Sequence, residues 1–210
     1  HNSYYSVSDP ERWKIAEKYL KPKKIILIDR DGVINHKAPK GEYISKWEDF
    51  IFIRETYEAM KYLSKGNFKF IVITNQAGVA RGKIKLSELD RIHQNMVNEF
   101  KKEGIEILDI YVCKHHWDKG CFCRKPNPGM LFQASKMHSF RLDQALFIGD
   151  DLRDCQTAEN AGCNSVFVGQ SDELKKLSKK EQPINSSTSL LGSIDEIVEF
   201  YESISDLEIL

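Results

Sequence analysis

Short apolar runs recur along the chain, each ending in a polar cluster and leading into a stretch of helical periodicity. The first is Ile25-Ile26-Leu27-Ile28, uninterrupted as expected for a strand covered on both faces. It stops at Asp29-Arg30-Asp31-Gly32. Phe70-Ile71-Val72-Ile73 is the second and ends in Thr74-Asn75-Gln76. Residues 106–113 form the third, Ala145 to Ile148 the fourth, ending at Gly149-Asp150-Asp151, and Ser165 to Val168 the fifth. Between them the pattern predicts helices. One spans residues 55–65, with Ala59, Met60 and Leu63 apolar and Gly66 as its stop. The next opens at a capping-box-like Ser87-Glu88-Leu89-Asp90 and carries Leu89, Ile92, Met96, Val97 and Phe100 on one face. Another opens at Pro128-Gly129 with Met130, Ala134 and Met137 inward. A helix over 152–161 stops at Gly162, and a last one over 193–203 carries Ile194, Ile197, Val198 and Tyr201. The polar stretch 171–188 reads as loop with some helix.

Strands alternating with helices predict an α/β fold, a three-layer parallel sheet with right-handed crossovers. Ligands of such sheets bind beyond the carboxyl ends of the strands. Asp29, Asp31, Thr74, Cys113 and Asp150 all fall at those ends. The expected organisation is an N-terminal arm or linker, 1–23, followed by one domain, 24–205. In the arm, Asp9 and Pro10 suggest a short helix running through Trp13 and Leu20. The start at His1 rather than Met suggests a processed or excised beginning, which leaves room for a larger multidomain chain.

Composition narrows the classes. Hydrophobic residues make up 41% and charged residues 30%, enough for a packed core. Thirty-one basic residues balance 31 acidic ones, which argues against a broad nucleic-acid or anionic-membrane surface. No apolar run approaches the roughly 20 residues of a membrane span, and the polar start does not resemble a signal peptide. Five cysteines, an odd count with three of them clustered, argue against a secreted disulfide framework, so a cytoplasmic location is expected.

The chemistry follows from the strand ends. Asp29, Asp31, Asp150 and Asp151 would repel one another without a cation, and hard oxygen ligands point to Mg²⁺. A metal beside a carboxylate nucleophile, Asp29, suits phosphoryl transfer. Thr74 would donate to phosphate oxygens and Lys125 would neutralise developing charge. Arg81 and Lys83, after the turn at Gly78, are candidates for a second phosphate. Separately, Cys113, Cys121 and Cys123 with His115 or His116 make a three-thiolate, one-imidazole set suited to tetrahedral Zn²⁺. Cys155 and Cys163 read as packed core thiols. Trp13, Trp47 and Trp117 fit either core or interface.

The strings Asp29-Arg-Asp-Gly-Val-Ile-Asn35, Thr74-Asn-Gln-Ala-Gly-Val-Ala-Arg-Gly82, Cys123-Arg-Lys-Pro-Asn-Pro-Gly-Met130 and Gly149-Asp-Asp-Leu-Arg-Asp154 resemble the haloacid dehalogenase superfamily of phosphatases. Within it they look like the subfamily of heptose 1,7-bisphosphate and histidinol-phosphate phosphatases. The resemblance implies a Rossmann-like haloacid dehalogenase fold with no large cap domain and a small zinc-binding loop, 113–123. It implies that Asp29 attacks phosphorus while Asp31 serves as acid and then base. Mg²⁺ would lie on Asp29, the Asp31 main-chain carbonyl and Asp150, with Asp154 supporting the metal or Lys125. Asn75, Gln76, Arg81 and Arg124 would contact substrate, as would the loop bearing Lys37, Lys40 and Tyr43. His115 is favoured over His116 as the zinc ligand, and the zinc would be structural. The implied activity is that of a monomer in carbohydrate metabolism, on the route to lipopolysaccharide precursors. It would convert a phosphorylated sugar, D-glycero-D-manno-heptose 1,7-bisphosphate, to the 1-phosphate. Histidinol phosphate, nucleic-acid 3′-phosphate ends or an idle zinc-bearing domain are the alternatives. Asp151 departs from the heptose enzymes, which often carry a basic residue there, and an acid would weaken anion binding nearby.

Overall fold

The computed structural model describes residues 9–14, 21–170 and 172–205. Its centre is a six-stranded, all-parallel sheet: β1 Ile25–Ile28, β2 Lys69–Asn75, β3 Ile107–Cys113, β4 Leu146–Gly149, β5 Asn164–Val168 and β6 Asn185–Ser187. The spatial order is β3-β2-β1-β4-β5-β6. Five helices cover it: α1 Arg54–Lys65, α2 Leu86–Lys102, α3 Gly129–His138, α4 Leu152–Ala161 and α5 Ile194–Ser205.

The alternation along β1 explains the layers. Ile26 and Ile28 face one side and join Met60, Ile92, Phe100 and Ile197 from α1, α2 and α5. Ile25 and Leu27 face the other and join Met130, Leu131, Ala134 and Ala158 from α3 and α4. All four β1 side chains are buried, each contributing roughly 2 kcal/mol of hydrophobic burial. The Tyr201 hydroxyl donates to the Ile25 carbonyl at 2.5 Å and accepts from the Leu146 N–H at 3.2 Å, pinning β1 to β4.

Successive connections from β1 and β2 run one way across the sheet, and those from β4 and β5 run the other. The reversal lies between β1 and β4, and the crevice beyond their carboxyl ends is where such sheets bind ligands. Asp29 follows β1 and Asp150 follows β4, so topology alone brings them together.

Several expectations need correction. The stretch 171–188 contains β6, whose polar Asn-Ser-Ser has no apolar signature and becomes a strand only by pairing with Val166 to Val168. Helix α2 begins at Leu86 with Lys85 before it and no side-chain cap, so Ser87 does not open a capping box. Met137 is exposed at 66%, and Leu131 takes the inward position instead. Asp9 caps a helical turn over 10–14 through the Glu11 and Arg12 N–H groups, while Leu20 lies outside the described residues. Cys155 and Cys163 are buried core thiols as expected. Trp47 stacks on Phe50 at 5.1 Å, whereas Trp13 and Trp117 are exposed. No described helix is long and apolar enough to cross a membrane.

Candidate active site and metal centres

Asp29 is held where β1 ends. Its main-chain N–H bonds the Ile148 carbonyl of β4, and its Oδ1 accepts from the Arg30 N–H at 2.7 Å and from Lys125 Nζ at 2.8 Å. Lys125 is buried, and its Nζ also meets Asp154 at 2.7 Å and the Ile73 carbonyl at 3.2 Å. Burial alone would lower the Lys125 pKa, but Asp154 and Asp29 hold it well above the ordinary lysine range. Asn75 aims both ends of its amide at the Lys125 main chain, each at 3.2 Å, so it positions that residue.

Asp31 accepts from Arg30 Nη2, Asn35 Nδ2 and Gln76 Nε2 at 2.9, 3.0 and 2.7 Å. Burial would raise its pKa, yet Arg30, Asn35 and Gln76 together bring it below the usual carboxylate value. Gln76 also donates to Thr74 Oγ1 at 2.9 Å, which leaves the Thr74 hydroxyl hydrogen for another acceptor.

Asp150 carries the mark of a cation site. Its Oδ2 meets Lys37 Nζ at 2.5 Å, while its Oδ1 is buried without a hydrogen-bond partner. Burial, with Asp29 as a neighbouring like charge, lifts Asp150 to about 6. Burial, with Asp154 and Asp31 nearby, does the same for Asp29, also to about 6. Carboxylate oxygens of Asp29, Asp150 and Asp154 lie within 4.8 Å of one another. That set of hard oxygens, including one orphaned oxygen, fits Mg²⁺. Two glycines permit the crowding. A Cβ at Gly32, whose φ is +97°, would sit 2.0 Å from Asp150 Oδ2, and one at Gly149 would sit 2.2 Å from the Asp154 Cβ.

These residues line a cavity of about 350 Å³, walled also by Lys37, Lys40, Tyr43, Asn75, Gln76, Arg124 and Arg153. Arg124 has a buried Nη1 without a partner, an unengaged donor in the cavity wall. Arg81 is not in that wall. It donates to the Tyr43 hydroxyl at 3.0 Å and lies over the Trp117 ring, linking the loop after β1 to the loop after β3. Lys83 is exposed and also outside the wall.

The second cluster forms directly before Arg124. Cys113 Sγ lies 3.6 Å from Cys121, 3.4 Å from Cys123 and 3.9 Å from His115 Nδ1. Cys121 and Cys123 are 3.5 Å apart, and His115 Nδ1 is 3.1 Å from Cys123. A tetrahedral zinc with ordinary bonds needs edges of about 3.8 Å between sulfurs and about 3.5 Å from sulfur to nitrogen. The four donors therefore fit that ion. His116 turns away to Asp118 and lies tilted against the Trp117 ring.

Comparison with known proteins matches this geometry. Residues 122–191 match the family described as HAD-hydrolase-like. The chain is 36% identical over 152 residues to the D-glycero-alpha-D-manno-heptose-1,7-bisphosphate 7-phosphatase of Photorhabdus laumondii, covering 69% of this chain and 81% of that protein. The chain belongs to the haloacid dehalogenase family. It is also 37% identical over 139 residues to the beta-anomer 7-phosphatase of Helicobacter pylori, covering 66% and 79%. The crystal structure of D,D-heptose 1,7-bisphosphate phosphatase from B. bronchiseptica, complexed with magnesium and phosphate, superimposes with a TM-score of 0.74 at 29% identity. It covers 83% of this chain and 98% of that one.

Some site residues of this haloacid dehalogenase member escaped the sequence reading. Arg30 is wholly buried between Asp31 and His93, with Nη1 donating to His93 Nε2 at 3.0 Å. His93 lies in the apolar stripe of α2, between Ile92 and Met96, and its place in that stripe was the available signal. Asp151 is the N-cap of α4 and forms a capping box with Asp154. Its carboxylate is also paired with Arg153, which brings it down to about 2 despite burial. The expectation that Asp151 repels an incoming anion is therefore corrected, because its charge is already compensated.

Proposed function

We propose that this chain is a Mg²⁺-dependent phosphatase that converts D-glycero-D-manno-heptose 1,7-bisphosphate to the 1-phosphate through an aspartyl-phosphate. The observation that carries this reading is Asp29, at the switch point, fixed by Lys125 beside the orphaned oxygen of Asp150. The names of the relatives supply the substrate.

Asp29 Oδ1 is engaged by Arg30 and Lys125, so Oδ2 is the oxygen that attacks phosphorus. Mg²⁺, held by Asp29, Asp150 and the Asp31 carbonyl, would supply charge that offsets repulsion between carboxylate and phosphate. Thr74 donates its hydroxyl hydrogen to a phosphoryl oxygen, and Lys125 balances charge on the group in flight. Asp31 gives a proton to the leaving sugar oxygen and later takes one from the water that hydrolyses the aspartyl-phosphate. Its resting contacts suit the second step. For the first it must exchange one of its donors, such as Gln76, for the leaving oxygen and carry a proton. Cys113, His115, Cys121 and Cys123 would hold a structural zinc, which would fix the segment presenting Arg124 and Lys125.

Phosphate release from both anomers of the bisphosphate, from histidinol phosphate and from 3′-phosphorylated DNA ends, with Mg²⁺, tests the reading. The heptose ester is expected to give the highest kcat/KM, and Asp29→Asn to lower kcat by at least about 10³. A preference for another ester sinks the substrate, and an active Asp29→Asn sinks the mechanism.

A further inference from the structure

A bisphosphate, the substrate of the phosphatase reading on which this inference rests, brings two anionic groups into one cavity. One phosphate goes to Asp29, Thr74 and Lys125, and the other needs a separate cation. Several basic residues at the cavity are already engaged. Lys125 serves Asp29 and Asp154, Lys37 pairs with Asp150, and Arg30 is buried against Asp31 and His93. Arg124 and Lys40 also line the cavity, Arg124 with an unengaged buried Nη1, but no side-chain hydrogen bond among the described residues fixes the direction of either. Arg153 is fixed. Its main-chain N–H donates to Asp151 Oδ1 at 3.0 Å, its Nε to the same oxygen at 2.8 Å, and its Nη2 to Oδ2 at 2.7 Å. Asp151 is itself fixed as the N-cap of α4. The guanidinium is therefore locked in plane and direction. Nη1 makes no hydrogen bond among the described residues, and the half-exposed side chain lines the cavity. A planar fork held in advance by a carboxylate loses little freedom on meeting a phosphate and offers it paired donors.

We propose that Arg153, clamped by Asp151, receives the second phosphate of the substrate and sets the preference for a bisphosphate over a monophosphate. The acid at position 151 then acts as the brace for a cation in the first turn of the helix.

The test compares heptose 1,7-bisphosphate with heptose 7-phosphate, which share the reacting phosphate and differ in the second one. Arg153→Gln is expected to raise KM for the bisphosphate about tenfold or more, with kcat changed less than about threefold. The preference for the bisphosphate should fall by the same factor. Asp151→Asn should move KM in the same direction by a smaller factor, and Arg153→Lys should recover part of the loss. An equal loss of kcat on both esters would make Arg153 a structural residue and overturn the proposal. So would an unchanged bisphosphate KM in Arg153→Gln. A wild-type enzyme inactive on both esters would instead overturn the heptose phosphatase function itself, so the two failures are distinguishable.

Discussion

His93 offers a perturbation whose size follows from its surroundings. The ring is buried in α2, accepts a hydrogen bond from Arg30, and is held neutral to about pH 3. Burial is the largest cause, the Arg30 charge adds to it with a smaller push from Lys114, and Asp31 opposes both. In the unfolded chain the same ring titrates near its ordinary value of 6.5. Above 6.5 both states are neutral and His93 places no burden on folding. As pH falls below 6.5 the unfolded chain binds the proton first, so stability drains by up to about 1.4 kcal/mol per unit until about pH 3. Between pH 8 and pH 5 the loss works out at about 2 kcal/mol. Asp29 and Asp150 act with the opposite sign, since their raised values let the folded state take protons first. Comparison with His93→Gln cancels them, because Gln still accepts from Arg30 but does not titrate. Urea unfolding of both proteins at the two pH values is the assay. The stability of the wild type relative to the variant should fall by about 2 kcal/mol on acidification. Parallel behaviour of the two proteins would refute the claim that His93 is held neutral.

The remaining expectations concern the segment that carries Lys125. Asn75→Ala removes two hydrogen bonds to that residue's main chain and should cost about 2 kcal/mol of stability. It should also lower kcat more than it raises KM, and a change in KM alone would make Asn75 a substrate contact instead. Metal analysis of the purified chain should find about one zinc per molecule, lost in Cys123→Ser together with most of kcat. A zinc-free protein of normal thermal stability would rule out the structural metal.

The parts of the fold that depend on burial could be read directly from the chain. Ile25 to Ile28 is apolar because both faces of β1 are covered, and Gly162 ends α4 because its φ of +67° suits glycine. β6 was not legible, since three polar residues acquire strand character only from their neighbour β5. The same division holds in the site. Asp29, Thr74, Lys125 and Asp150 stand at strand ends or just beyond them in a cysteine-rich turn, where local sequence and topology agree. Arg30, His93 and Asp151 act through contacts that reach across the fold or turn back on one helix end, so their residue types mislead. A histidine in an apolar stripe looks like an imperfection until Arg30 is seen against it. An aspartate beside a phosphate site looks inhibitory until its carboxylate is found braced on Arg153 and capping α4. Residue type reports charge, but the partner decides what that charge does to a ligand. Here the acid at 151 leaves the cavity wall with an oriented cation.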